Sequence, residues 1–167
     1  IGRAIVLLLA KCGANVAFFG RHEQELQDTL KEIEALGNTA TIHGFTADVS
    51  DKEGVEKIFS EVDNIFDRLD ILLNNAALGY GTIQEGGYED VAYLISTNLM
   101  GYLACASKAV ERMKQHKAGH IVNIGSMSAD VREEGSSVYV ATKSGIQGFC
   151  AALRKEVNKN GIKVTLI

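Results

Sequence analysis

Tyr139 and Lys143, four residues apart, carry the strongest chemical signal in this 167-residue chain. They follow the breaker Gly135-Ser136-Ser137, and apolar or small residues continue at Gly145, Ile146, Phe149, Ala152, Leu153 and Val157. That spacing predicts a helix with both side chains on one face near its start. A phenol has an ordinary pKa of about 10 and is a poor acid or base near neutrality. A lysine ammonium one helical turn away favours the phenolate and brings a phenol into useful range. Ser126 closes the apolar run His120 to Gly125, so its hydroxyl is expected at a strand end. There it can hold a carbonyl oxygen while the phenol gives that oxygen a proton. The plainer alternative is a helix with a core tyrosine and a solvated lysine, and taken alone the pair favours that alternative.

The elements that must position these residues alternate along the chain. Residues 3–12 read as a mostly buried helix ended by Gly13, and Val16 to Phe19 as a short strand buried on both faces. Leu26, Leu30, Ile33 and Leu36 mark a one-sided helix over 23–36, and 39–45 is rich in strand formers. A helix begins after Asp48 and Ser50, with Val55, Ile58, Phe59, Val62, Ile65 and Phe66 on one face. Residues 69–73 form the next strand, followed by a glycine-rich loop and a long helix over 89–116. A strand over 120–125, a helix over 138–160 and a strand from Ile162 complete the pattern. Alternation of this kind predicts an α/β fold, a doubly wound parallel sheet with helices on both faces. Ligands of such sheets bind beyond the carboxyl ends of the strands. Gly20-Arg21, Asp48, Asn74-Asn75 and Ser126 all follow strands, so they are expected to line one crevice.

Length and composition are those of one globular domain, 1–167, with 46% apolar and 23% charged residues. A net charge of −4 gives no basic footprint for nucleic acid. No apolar run reaches the length of a membrane span. The expectation is a cytoplasmic α/β protein acting on a small molecule. Cys12, Cys105 and Cys150 are expected to be buried free thiols. Neither they nor His22, His43, His116 and His120 fall at metal-ligand spacing, so no metal site is expected. Glu133-Glu134 reads as a solvated loop.

Asp48 can be a helix cap or a cofactor contact, and position alone leaves both open. An acidic residue after the first strand would bind a ribose 2′-hydroxyl. Gly20-Arg21 offers a cation instead, which favours a 2′-phosphate if a nicotinamide cofactor binds. Asn98, beside the apolar stripe of the long helix, must find hydrogen-bond partners, and taken alone a helix-to-helix contact is the better account.

In sum these residues resemble the short-chain dehydrogenase/reductase (SDR) family over essentially the whole chain. Tyr139-x-x-x-Lys143 is similar to its active-site pair, with Ser126 thirteen residues earlier and Asn98 twenty-eight before the serine. Asn74-Asn75-Ala76-Ala77 resembles the family's N-N-A-G with alanine for the glycine, and Asp48-Val49 its adenine-binding pair. The resemblance implies a Rossmann-like three-layer fold and an NADP(H)-dependent oxidoreductase moving a hydride between nicotinamide and a carbonyl or secondary alcohol. It makes Tyr139 the general acid/base, Lys143 its partner and a ribose ligand, Ser126 the orienter of the substrate oxygen, and Asn98 the holder of a relay water. It places Gly2, Arg21, Asp48, Val49, Asn75, Ala76, Tyr139 and Lys143 around the cofactor, with NADP(H) preferred over NAD(H). The family's glycine-rich turn belongs ahead of Ile1-Gly2 and its substrate-pocket helices beyond Ile167, so the chain is expected to be an internal piece of a longer reductase, lacking the first strand and the C-terminal segment. The family's common dimer interface implies a homodimer or homotetramer through helices 89–116 and 138–160, whose apolar circumference exceeds what a sheet needs. The alternatives are a non-catalytic dinucleotide-binding sensor and an epimerase or dehydratase on the same scaffold. The substrate stays open: the loop 78–88 and Met127 to Val138 offer a mixed, mostly uncharged lining.

Overall fold

The computed structural model describes residues 1–37, 39–79 and 81–167. Tyr80, within the loop expected to line the substrate, lies outside the described residues. The chain forms two compact units, Ile1–Asp48 and Val49–Ile167.

The first unit runs α1 (Gly2–Lys11), β1 (Val16–Gly20), α2 (Glu23–Glu34) and β2 (Ile42–Thr46). The two strands are parallel, from Val16 opposite Ile42 to Gly20 opposite Thr46. In α2 the apolar stripe buries Leu26 and Ile33, and Glu23 and Glu25 sit in the first turn, where the helix dipole favours negative charge. Two expectations fail here. In α1 only Ala10 is buried, Leu8 is exposed, and every residue of β1 is partly exposed. Within this unit α1 packs mainly against α2 and β1. Cys12 is exposed, since it caps α1 at the end that leaves the packed face.

The second unit opens with α3 (Lys52–Ile65), which buries Val55, Ile58, Phe59 and Val62 along one stripe. Its N-cap is Asp51, whose carboxylate accepts from Gly54 N at 2.6 Å, so the cap is not Asp48. The strands β3 (Ile71–Asn74), β4 (Gly119–Asn123) and β5 (Ile162–Leu166) pair in parallel in the order β3-β4-β5. Ile121 in the middle strand is fully buried. Asn74 pairs with Asn123, so the segments after β3 and β4 leave the sheet side by side.

The long helix expected over 89–116 is three pieces: α4 (Tyr88–Ile95), a π-helical turn at Ser96–Met100, and α5 (Gly101–His116). A π turn takes up one residue more than an α turn, and the residues beyond it are rotated by about 100°. Gly101 follows the turn because nothing larger fits. A Cβ there would stand 2.9 Å from both Cβ and the carbonyl oxygen of Val49. The short α6 (Ser128–Val131) breaks what reads in sequence as a loop, and α7 (Ser137–Val157) follows. No described helix is long and apolar enough to cross a membrane.

Candidate active site

The site is built on the two asparagines that end β3 and β4. Asn74 Nδ2 donates to Asn123 Oδ1 at 2.8 Å and to the Tyr102 carbonyl at 3.3 Å. Asn123 Nδ2 donates in turn to the Cys150 thiol at 3.1 Å. Buried amides need partners, and this chain of contacts satisfies both while joining β3, β4, α5 and α7. Burial pushes the Cys150 thiol up and Cys105 to about 12, so both stay protonated and serve packing.

Asn98 sits inside the π turn, wholly buried. Its Oδ1 accepts from Leu78 N at 2.7 Å and its Nδ2 donates to Leu78 O at 2.8 Å. The partner is thus the loop after β3 and not another helix. The amide clamps the residues that follow Asn75 and Ala76, which are both half-buried. One N–H and one oxygen lone pair of the amide are used in this clamp.

Lys143 is not solvated. It is 1% exposed, and its Nζ donates to the Ile124 carbonyl, the first residue past β4, at 2.8 Å. The ammonium lies 5.2 Å from the ring centre of Tyr102 and 5.8 Å from that of Tyr139. No carboxylate pairs with it among the described residues. Burial therefore lowers its pKa below the ordinary lysine value. Tyr102 is as deeply buried and its hydroxyl reaches the same carbonyl at 3.4 Å. Burial, and then the nearby Tyr139, pushes its phenol well above the usual range, so Tyr102 stays neutral. Tyr139 is half-buried in the first turn of α7, and its hydroxyl makes no hydrogen bond among the described residues. The structure thus brings Tyr139 and Lys143 together, and adds two groups that no sequence motif marks, Tyr102 and Asn123.

Ser126, two residues beyond Ile124, is half-buried, and its Oγ accepts from Ser128 N at 3.1 Å. That contact leaves its own proton for another acceptor. Val49 is buried against Gly101. In the first unit Gly2 is the first residue of α1, Arg21 is exposed directly after β1, and Asp48 is half-buried after β2. A groove of about 360 Å³ between α3 and α5 holds none of these residues, and its Arg112 is spent on Asp63.

Compared with known proteins, the whole chain, residues 1–167, matches the family model described as short chain dehydrogenase. The chain belongs to the short-chain dehydrogenase family. Membership makes it an NAD(P)-dependent dehydrogenase or reductase of this family, acting on small molecules. It is 33% identical over 172 residues to a 3-oxoacyl-[acyl-carrier-protein] reductase, FabG, of Staphylococcus aureus, spanning 100% of this chain and 68% of that protein. It is 31% identical over 168 residues to an uncharacterized oxidoreductase of the same species, spanning 100% and 71%. A crystal structure of a metagenomic short-chain oxidoreductase in complex with NADP superposes with a TM-score of 0.92 at 26% identity, covering 99% of this chain and 75% of that one. Short-chain dehydrogenases of this kind carry the Rossmann-like α/β fold, to which the parallel strands and flanking helices belong.

Proposed function

We propose that the chain is the catalytic part of a cytoplasmic, NADP(H)-dependent oxidoreductase that interconverts a carbonyl compound and a secondary alcohol, with Tyr139 as general acid and base. The observation that carries this is the Lys143 ammonium, buried, with no carboxylate partner among the described residues, and set beside the half-buried Tyr139 phenol. A buried unpaired cation is costly, and a fold retains one where negative charge is to develop.

The residues fit a nicotinamide nucleotide. Lys143 uses one of its three N–H groups on Ile124, and the remaining two suit ribose hydroxyls. When bound, the dinucleotide supplies the hydride, or takes it in the oxidising direction. Tyr139 then gives its proton to the substrate oxygen, and Lys143 faces the charge left on the phenol oxygen. The Ser126 hydroxyl donates to the same substrate oxygen and sets its direction. Asn98 holds the loop after β3 in place. Asn75 and Ala76 would contact the cofactor, Asp48 and Val49 its adenine, and Gly2 its pyrophosphate, with residues 1–167 read as one nucleotide-binding domain.

NADPH oxidation measured against a panel of ketones and acyl thioesters tests this. Turnover of at least one member is expected, and tight NADPH binding with no turnover of any would favour a sensor. Arg21, the cation after β1, is assigned to the cofactor's 2′-phosphate. Arg21→Ala is expected to raise the KM for NADPH roughly 10–100-fold, the loss of one charge-assisted bond, and to leave NADH nearly unchanged. Equal losses for both cofactors would remove the 2′-phosphate assignment. The same proposal places a second copy of the chain on α4, α5 and α7; the exposed apolar surface that supports it lies at the α4 end, on Tyr93 and Ile95 and on Met100 of the π turn. Light scattering should give a dimer or tetramer, and a clean monomer would refute it.

A further inference from the structure

We propose that Tyr102 is a positioning residue for Lys143: its ring face holds the ammonium, and its hydroxyl braces the carbonyl to which the ammonium is bonded. The role in turnover rests on the function proposed for Lys143, while the physical contact stands apart from it.

An ammonium moved from water into a protein interior loses several kcal/mol of solvation, and fixed partners must replace the water. The groups facing Lys143 are few. From the residue just past β4 comes the Ile124 carbonyl, from its own helix α7 the Tyr139 ring, and from α5 the Tyr102 ring. Tyr102 is the nearer of the two rings and the more deeply buried, and an aromatic face attracts a cation most strongly where water is absent.

Two contacts and its place in the helix fix Tyr102. Its backbone carbonyl accepts from Asn74 Nδ2, and its hydroxyl donates to Ile124 O at 3.4 Å. It also stands in the first turn of α5, just past the π turn that rotates this helix relative to α4. On an unbroken α-helix residue 102 would face about 100° elsewhere. The Ile124 carbonyl accepts from both Lys143 and Tyr102, so its two lone pairs are filled and its direction is set. The phenol itself stays neutral and buried, which suits a support and not a proton donor.

The test is an NMR titration of the full chain carrying ¹³C-labelled lysine, with the Lys143 signal assigned by its loss in Lys143→Met. Three proteins are compared: the parent, Tyr102→Phe, and the chain with a ring-fluorinated phenylalanine at position 102, which keeps ring volume and weakens the negative face. Tyr102→Phe keeps the ring and removes only the hydroxyl's hold on the Ile124 carbonyl, so the Lys143 midpoint should fall slightly, and an unchanged midpoint would refute the brace. Fluorination should lower the midpoint by roughly half to one and a half pH units relative to Tyr102→Phe. Equal midpoints in those two variants would overturn the proposal. In the enzyme assay the alkaline limb of the kcat profile should move down in step with the midpoint. A midpoint that moves while the kcat profile stays put would leave the ring contact standing and refute Tyr102's role in turnover, along with the function proposed for Lys143.

Discussion

Replacing Tyr139 by phenylalanine is expected to lower kcat by roughly a hundred- to ten-thousand-fold, the range for the loss of one general acid, which is the role proposed for it. Cofactor affinity and thermal stability stay close to those of the parent. The separation follows from the structure. The Tyr139 hydroxyl makes no hydrogen bond among the described residues, so its removal leaves no buried group unsatisfied. The ring remains, and with it the contact to the Lys143 ammonium. Thr142 Oγ1 donates to the Tyr139 carbonyl, a backbone contact that the substitution does not touch. Steady-state kinetics with NADPH and a turned-over ketone, run beside a thermal melt, give both readings. Full turnover in the variant would end the proposed mechanism. Lost turnover with a collapsed melt would point to packing instead.

The second large effect runs in two directions at once. Lys143→Met is expected to abolish measurable turnover and yet to stabilise the cofactor-free protein by about 1–3 kcal/mol, the gain seen when buried charge gives way to a well-packed apolar group. Methionine fits the space of a lysine stem and makes favourable contacts with aromatic rings such as Tyr102. The Ile124 carbonyl is not orphaned, because the Tyr102 hydroxyl still reaches it. The sign of the pH dependence follows from burial, which sets the folded pKa of Lys143 below its unfolded value. The cost of the buried charge is present in full below the folded value. It fades as pH rises from there toward the ordinary lysine value of about 10.4, since the unfolded chain then binds more protons than the folded one. The stability gap between variant and parent should therefore be widest at neutral pH and narrow in alkaline buffer. Melts at the two pH values decide it, and a variant less stable than the parent at neutral pH would show that the ammonium is fully compensated.

What could be read from the sequence divides by distance along the chain. The Tyr139–Lys143 face of α7 and the amphipathic stripe of α3 depend on local spacing, and both are legible, whereas the apolar run to Gly125 overstates β4, which ends at Asn123 and leaves Ser126 three residues beyond it. Asn98 was seen to need partners, yet Leu78, twenty residues away, could not be named from spacing. Tyr102 and Asn123 passed as core and strand filler because their roles lie in contacts to Ile124, Asn74 and Cys150 on other elements. The π turn left no compositional mark, since Ser96 to Met100 are ordinary helix residues. Lys143 was open to a solvated reading for the same reason: burial depends on what folds over a residue. Cys12 and α1 show the converse, where apolar sequence promised a burial that their own unit does not provide.

The Ile124 carbonyl also bears on the order in which function is acquired during folding. Its position is held from both sides of the sheet, by Ile124 N bonded to Asn74 O and by Gly125 N bonded to Ile167 O. Those contacts close loops of about fifty and about forty residues, which form late because loop closure must precede the reward of pairing. Helix α7 can present Tyr139 and Lys143 on one face as soon as it is wound, since their spacing is local. Its lysine gains its anchor only when β3, β4 and β5 stand in register. A chain caught before β5 docks would carry the right side chains on the right helix and remain inert.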